Sequence, residues 1–183
     1  MRPGVLKRDV MRSRLLAFLL AALAAAAVAL ATRGGPDRGG ARVERVVDGD
    51  TLRVTVDGRS RAVRLLGIDT PETHRPGTPV ECGGPQASAH MQALAPPGTR
   101  VRLLSDPSQD RVDRYGRLLA YVRLPSGRLA EEAQLEAGWA TVYVYGGRPV
   151  ALYARFRREQ DAARARGRGV WGACAGRFHT AGP

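Results

Sequence analysis

The sequence predicts an α+β domain, a five-stranded OB-type β-barrel with about three helices. Segments with apolar residues at every second position come first, and short helical segments lie between and after them, an order that argues against a parallel sheet of alternating strands and helices. A helical segment also falls in the middle of the five strands, which fits a small barrel of this kind.

Three consecutive strands begin at Arg42. Apolar residues alternate through the first two, and the second and third are joined by the turn Asp57-Gly58, a strong hairpin signal. A proline- and glycine-rich loop at 69–85 follows, with a length typical of functional or disordered segments. The remaining predicted elements are a helix at 86–94, strands at 101–104 and 118–124, a helix at 129–137, an extended stretch at 140–145 and a helix at 149–166.

The first 31 residues have the composition of an export signal. Four basic residues between Lys7 and Arg14 precede 17 apolar residues, 15–31, which end in the small-x-small sequence Ala29-Leu30-Ala31. We therefore expect a signal peptide at 1–31, a linker at 32–41, a folded domain at 42–174 and a tail at 175–183. An uncleaved signal anchor is the alternative, since 17 residues approach the length that spans a bilayer. Either reading predicts a secreted or extracytoplasmic domain, held at a membrane only if the segment is retained.

The chain is strongly basic, with a formal net charge of +12. Residues 1–31 hold five of the 29 basic and one of the 17 acidic residues, so the rest of the chain keeps a net charge of +8. Such a field attracts polyanions, among which nucleic acid is the commonest. Nearly all the basic residues are arginine, which also indicates a compositional bias of the genome, so charge alone does not identify the ligand.

Two cysteines, Cys82 and Cys174, are the only ones in the sequence. An even number in a short exported chain favours a disulfide, and two buried thiols are the alternative. A bridge closing a loop of about 90 residues would stabilise the fold by about 4 kcal/mol in the chain-entropy model.

Three polar motifs carry the candidate chemistry: VVDGDT at 46–51, RLLGIDTPE at 64–72 and DRYGR at 113–117. Alone, the first could be an ordinary Asp-Gly turn. Asp50 and Asp69 come from separate strand ends, and with a backbone carbonyl they make an all-oxygen site suited to Ca²⁺ or Mg²⁺ rather than zinc. Arg64 and Arg117 would stabilise the extra negative charge of a phosphodiester transition state.

These three motifs, in this order and at these separations, resemble the signature stretches of the staphylococcal nuclease-like (thermonuclease) family. The resemblance covers about 42–171, including GPQASA at 84–89 and GVW at 169–171. It implies that 42–174 is an OB-fold nuclease domain of a secreted, Ca²⁺-dependent endonuclease, a hydrolase acting on ester bonds. The implied reaction cuts DNA and RNA at the P–O5′ bond and leaves 3′-phosphates. We expect a monomer without an obligate protein partner that prefers single strands.

The resemblance also implies roles for individual residues. Asp50 and Asp69 would ligate Ca²⁺ through carboxylates and Thr70 through its carbonyl, with Asp48 farther from the ion. Glu72 would hold a water near the metal and act as general base. Two arginines complete the catalytic set, Arg64 on the scissile phosphate and Arg117 on the developing charge.

Substrate contacts are expected from Tyr115 and Tyr143, with Arg114 in place of the family's usual lysine. An aromatic platform beside a cation suits single-stranded nucleic acid. Packing within a strand is the alternative for Tyr143. Glu81 could be structural or lie at the rim of the site, and the altered loop at 106–112 is not expected to contribute ligands.

Other side chains have no motif to support them. The three histidines, at positions 74, 90 and 179, are therefore expected to be surface or loop residues. A non-catalytic OB module that binds nucleic acid is the main competing function, with an envelope-anchored structural protein as a third. Degenerate nuclease domains lose the carboxylates or arginines first, and here all of them are present.

Overall fold

A computed structural model describes residues 38–73, 77 and 79–179. The predicted signal segment, most of the predicted linker, His74 and residues 180–183 of the tail lie outside this part of the chain. Within the described ranges, no helix has the length and apolar character needed to cross a membrane.

Five strands close into a barrel in the order β1-β2-β3-β6-β5, which confirms the predicted fold class. Their bounds are β1 Arg38–Asp48, β2 Thr51–Val56, β3 Arg59–Leu65, β5 Arg100–Leu104 and β6 Leu118–Arg123. Neighbours are antiparallel except β3 and β6, which run parallel with Val63 opposite Leu118. Two short strands, β4 (Ile68–Asp69) and β7 (Thr141–Val142), pair beside the barrel.

The alternating apolar residues seen in the sequence fill the interior of the barrel. Its inward-facing residues are almost completely buried and include Leu52, Val54, Val63, Leu65, Val101 and Leu103. Burial of one such side chain contributes about 1.5–3 kcal/mol. The predicted hairpin turn is present, with Asp57 and Gly58 both at positive φ.

Four helices pack around the described barrel: α1 Gly84–Leu94, α2 Ala130–Ala137, α3 Tyr153–Ala165 and α4 Val170–Ala173. Helix α1 buries Ala87 and Met91. Helix α2 ends at Gly138, which has a left-handed conformation (φ 77°) that glycine adopts readily.

Several elements differ from the predicted ones in their bounds or were not predicted. Strand β1 begins at Arg38, within the predicted linker, because its backbone pairs with β5 while Gly39 and Gly40 have no side chains to reveal an alternating pattern. Helix α3 begins at Tyr153 rather than 149, because side chains of Asp106 and Tyr121 accept the N–H groups of the two preceding residues. Only 141–142 of the extended stretch pairs as a strand, and β4 and α4 were too short to predict.

A disulfide joins Cys82 to Cys174, as the sequence predicted, with their Cα atoms 6.0 Å apart. The bridge connects the segment just before α1 to the end of α4, across a separation of 92 residues. It therefore holds the C-terminal part of the described chain against the loop that follows β4.

Candidate active site

A cleft of about 600 Å³ opens at one end of the barrel. Its lining contains all nine residues predicted to catalyse, ligate metal or bind substrate: Asp50, Arg64, Asp69, Thr70, Glu72, Arg114, Tyr115, Arg117 and Tyr143. Residues that are scattered over almost 100 positions in the sequence thus face one space.

The β1–β2 turn places Asp50 in this cleft. The Asp48 carboxylate accepts the Asp50 N–H at 3.1 Å and so closes the turn. Gly49 lies tightly against its neighbours, since a Cβ there would be only 2.8 Å from both the Ala87 Cβ and the Thr70 Oγ1. Gln134 donates to the Gly49 carbonyl at 2.6 Å. The glycine is therefore required for the turn to pack beneath the site.

Asp50 is a buried carboxylate, only 5% exposed. Its Oδ2 accepts the Thr70 N–H at 3.0 Å and forms an ion pair with Arg64 Nη2 at 3.0 Å, and its Oδ1 accepts the Thr51 hydroxyl at 2.9 Å. Burial raises the pKa of Asp50 to about 7; Arg64 opposes this rise, and the nearby carboxylates of Asp48 and Asp69 add to it. One guanidinium therefore does not fully offset the cost of ionising this group.

Arg64 connects the two candidate ligands. Its Nη2 lies 3.0 Å from Asp50 and 2.6 Å from Asp69, while Nη1 donates to the carbonyls of Leu65 and Ile68 at 2.9 and 2.8 Å. Burial opposes its charge, but the two aspartates raise the pKa of Arg64 above its usual value. To bind a phosphate, as predicted, this guanidinium would have to exchange carboxylate partners for phosphate oxygens.

The donor set fits a hard divalent cation. Three carboxylates, those of Asp48, Asp50 and Asp69, act on a single guanidinium, and a cation between Asp50 and Asp69 would relieve the unfavourable burial of negative charge. Within the described residues, no group of three or more His, Cys, Asp or Glu side chains is arranged to hold a metal ion. Such a cation would therefore complete its coordination with the Thr70 carbonyl and water.

Glu72 follows this pair at the edge of the cleft and is partly buried. Its Oε1 accepts the Thr73 N–H at 3.0 Å. Its backbone N–H donates to the Glu81 carboxylate at 2.7 Å, and its carbonyl accepts the Glu81 N–H at 3.0 Å. The backbone of the predicted general base is thus held by Glu81, for which the sequence had left a structural and a site role open.

The turn at 113–117 presents the second arginine. Asp113 organises it by accepting the N–H groups of Tyr115 and Arg117 at 2.9 Å and the Arg117 Nε–H at 2.7 Å. Gly116 has a φ of 79°, which the turn requires. The Arg117 guanidinium is therefore held by one carboxylate, and Arg117 lines the cleft.

Exposed tyrosines border the cleft. Tyr115 is 68% exposed, with the guanidinium carbons of Arg114 and Arg117 at 4.8 and 5.5 Å from its ring centre. Tyr143 is 43% exposed, so its ring is not buried by strand packing. Both rings are accessible to a base or a phosphate.

His179 is an exposed turn residue, as expected, but reasoning from the sequence missed its place in the site. Its Nε2 lies 3.2 Å from Asp69 Oδ2 and its Nδ1 lies 2.9 Å from Glu81 Oε2. Hydrogen bonding to Asp69 raises the pKa of His179 to about 9, against the opposing effect of partial burial. Burial also opposes ionisation of Asp69, but His179 and Arg64 hold the pKa of Asp69 below its usual range. The one signal for this residue was its position five residues after Cys174, whose bridge partner adjoins Glu81.

The other doubtful residues have structural roles. His90 bonds Gln134 at 2.7 Å, outside the cleft lining. Asp106 is buried and accepts the Tyr121 hydroxyl, the Ala151 N–H and two bonds from Ser108. Its oxygens are thus engaged within the fold, and Asp106 is not among the residues that line the cleft. Asp110 lines the cleft but is exposed and pairs with Arg148 at 2.9 Å.

Comparison with known proteins finds similarity to one nuclease family and to proteins named as nucleases. The family model described as "Staphylococcal nuclease homologue" matches residues 62–173. Over 131 residues the chain is 40% identical to the SPbeta prophage-derived endonuclease YokF of Bacillus subtilis (strain 168), covering 70% of this chain and 43% of that protein. It is 38% identical over 131 residues to Endonuclease YncB of the same organism, and this match covers 70% of this chain and 60% of that protein. It is also 38% identical over 131 residues to the Thermonuclease of Staphylococcus hyicus, and this match covers 71% of this chain and 74% of that protein. The chain thus spans less than two thirds of the two Bacillus proteins.

Proposed function

The chain belongs to the staphylococcal nuclease homologue family, and from this premise we propose that it is a nuclease that hydrolyses phosphodiester bonds of DNA and RNA with Ca²⁺ as its cofactor. The observation that carries the proposal is the meeting, in one cleft, of the Asp50–Asp69 carboxylate pair with Glu72 and the two arginines. A binding module would need the arginines but not the paired carboxylates, one of which is buried.

The proposed reaction is an in-line displacement at phosphorus. Asp50, Asp69 and the Thr70 carbonyl would hold the cation, which would supply positive charge beside the phosphate as its negative charge increases. Glu72 accepts a proton from the attacking water. As the new P–O bond forms, the P–O5′ bond breaks, the O5′ oxygen takes up a proton, and the phosphate stays on the 3′ side.

The two arginines are proposed to stabilise the transition state. Arg117 is held at its Nε by Asp113, which leaves its Nη groups able to meet phosphate oxygens. Arg64 already lies between the two candidate ligands and is paired with both. A cation held there would compete with Arg64 for the carboxylates. The guanidinium N–H groups would then be able to donate to the phosphate. Interactions with the phosphate that are stronger in the transition state than in the bound substrate accelerate the reaction.

Single-stranded nucleic acid is the proposed preferred substrate. The exposed rings of Tyr115 and Tyr143 provide surfaces on which unpaired bases can stack, and Arg114 supplies a cation beside the first. No contact in the cleft depends on a sugar 2′-hydroxyl in this proposal, so both DNA and RNA would be cut.

We also propose that the protein acts outside the cytosol as a monomer. The basic and apolar character of residues 1–31 supports export. The Cys82–Cys174 bridge supports it independently, because structural disulfides persist in oxidising compartments.

The decisive test is digestion of single-stranded DNA by purified protein lacking residues 1–31, first with Ca²⁺ and then with a chelator. We expect cleavage that the chelator abolishes and that added Ca²⁺ restores, with 3′-phosphate ends in the products. The Asp50→Asn/Asp69→Asn double variant is the matched control for contaminating nucleases. Binding of the DNA without chelator-sensitive cleavage would replace this proposal with the non-catalytic module.

A further inference from the structure

The C-terminal segment returns to the cleft and is fixed there by several independent contacts. The Cys82–Cys174 bridge fixes the end of α4. Beyond it, the Gly176 N–H donates to the Val170 carbonyl at 2.9 Å, and the rings of Trp171 and Phe178 pack edge to face with centres 4.9 Å apart. The residue that follows, His179, is therefore placed by covalent, backbone and aromatic contacts together.

His179 uses both ring nitrogens on carboxylates of the site. Nε2 faces Asp69, a candidate metal ligand, and Nδ1 faces Glu81, which is 8% exposed. The Glu81 oxygen that meets the imidazole, Oε2, is the same oxygen that accepts the Glu72 N–H at 2.7 Å. The imidazole thus connects the metal-ligand side of the cleft to the backbone of the predicted base.

The backbone of His179 has a conformation that side chains rarely adopt. Its φ is 59°, in the left-handed region that favours glycine. A non-glycine residue keeps such a conformation only where its surroundings determine it. The two carboxylate contacts are the features that distinguish this position from Ala175, an exposed tail residue at a similar φ of 53°.

We propose that His179 is a positioning residue of the active site: by bridging Asp69 and Glu81, it fixes the backbone of Glu72 relative to the metal-binding carboxylates. The inference rests on the proposed nuclease function. Because both nitrogens are engaged by carboxylates, the imidazole acts through Asp69 and Glu81 rather than on the substrate. The C-terminal segment is then part of the catalytic apparatus, attached to it by the disulfide.

His179→Gly is the informative variant. Glycine accepts the left-handed backbone, so the change removes the imidazole without adding strain. Misplacement of a catalytic group by about 1 Å can cost about 100-fold, and we expect kcat on single-stranded DNA to fall by about 10- to 100-fold with KM changed less than about twofold. Free imidazole should restore part of the lost kcat by occupying the vacated space. Ala175→Gly is the matched control for introducing glycine at a positive φ and should leave kcat and KM unchanged.

Amide hydrogen exchange at Glu72 provides a readout that does not require activity. In the full-length protein this amide should be protected, and it should exchange faster in His179→Gly and in Glu81→Gln, with little further increase in the double variant because both changes break one network. Ala175→Gly should retain wild-type protection.

The outcomes separate the two proposals. If wild-type protein cleaves nothing, the nuclease proposal fails, while Glu72 exchange still decides the positioning role. Unchanged exchange at Glu72 in His179→Gly would overturn the role, as would unchanged kcat in an active enzyme. A higher kcat would also overturn it, since the histidine would then obstruct the site. A loss of kcat that imidazole does not restore, with lower thermal stability, would make His179 merely structural.

Discussion

Replacing Asp50 with asparagine should separate the stability of the metal-free protein from its function. Asp50 is buried, and in the folded protein its pKa is raised from 3.8 to about 7. An acid with a raised folded-state pKa binds more protons in the native than in the unfolded state between these two values. Its presence therefore lowers the free energy of unfolding as pH rises from about 4 to 7, and the loss is complete above about 7.

The magnitude follows from the pKa change. A tenfold change in proton affinity is worth about 1.4 kcal/mol, so ionising Asp50 in the metal-free fold costs up to about 4 kcal/mol. An asparagine side chain at this position escapes the cost but loses charge pairing with Arg64, which remains paired with Asp69. We expect the free energy of unfolding of Asp50→Asn to rise by about 2–4 kcal/mol relative to that of wild type between pH 4 and pH 8.

Urea unfolding of both proteins, with chelator present and at several pH values, measures this difference. Acidic groups that do not interact with Asp50 titrate equally in the two proteins, so the comparison isolates Asp50 together with the neighbouring Asp48 and Asp69. Added Ca²⁺ at about 1,000 times Kd should reverse the order at pH 8, because it stabilises wild type by about 4.1 kcal/mol and the variant binds the ion weakly. A difference that stays constant from pH 4 to pH 8 would refute the reasoning.

Three further predictions test other parts of the site. Arg64→Ala and Arg117→Ala should each lower turnover by about 100- to 1,000-fold or more with an unchanged circular-dichroism spectrum; Arg128→Ala, which breaks only an exposed pair with Glu136, is the control, and near wild-type turnover in a folded Arg117→Ala protein would exclude its proposed role. Ca²⁺ should support faster cleavage at saturation than Mg²⁺, because two carboxylates, a carbonyl and water form an irregular set that Mg²⁺ tolerates poorly; equal turnover at saturation with the two ions would mean that the metal has been misplaced. Non-reducing peptide mapping of exported protein should recover Cys82 and Cys174 in one linked peptide pair, whereas two free thiols would remove the bridge.

Much of the fold could be predicted because its determinants are local. Alternating apolar residues identified the barrel strands, and Asp57-Gly58 identified the hairpin turn. The elements that escaped prediction depend on distant partners. The start of α3 is set by side chains of Asp106 and Tyr121, and the first residues of β1 are held by pairing with β5.

The site shows the same division. The three motifs identified eight residues that line one cleft, because each motif carries its own turn and polar groups, and the family resemblance added Tyr143. What the sequence did not indicate is how these groups pair with one another. Arg64 binds both aspartates, and His179 reaches Asp69 from the far end of the chain, contacts that depend on the closed barrel and on the disulfide.

The barrel closes through strands that are far apart in the chain. Arg38 of β1 lies opposite Leu103 of β5, and β3 meets β6 in parallel at Val63 and Leu118. Closing such long loops costs entropy before the contacts repay it, so domains of this topology fold slowly, typically in milliseconds to seconds. A fragment that ends before Leu118 lacks the strand that joins β3 to β5. A nascent chain should therefore remain unfolded until most of its length has emerged, which is the state that the proposed export would require.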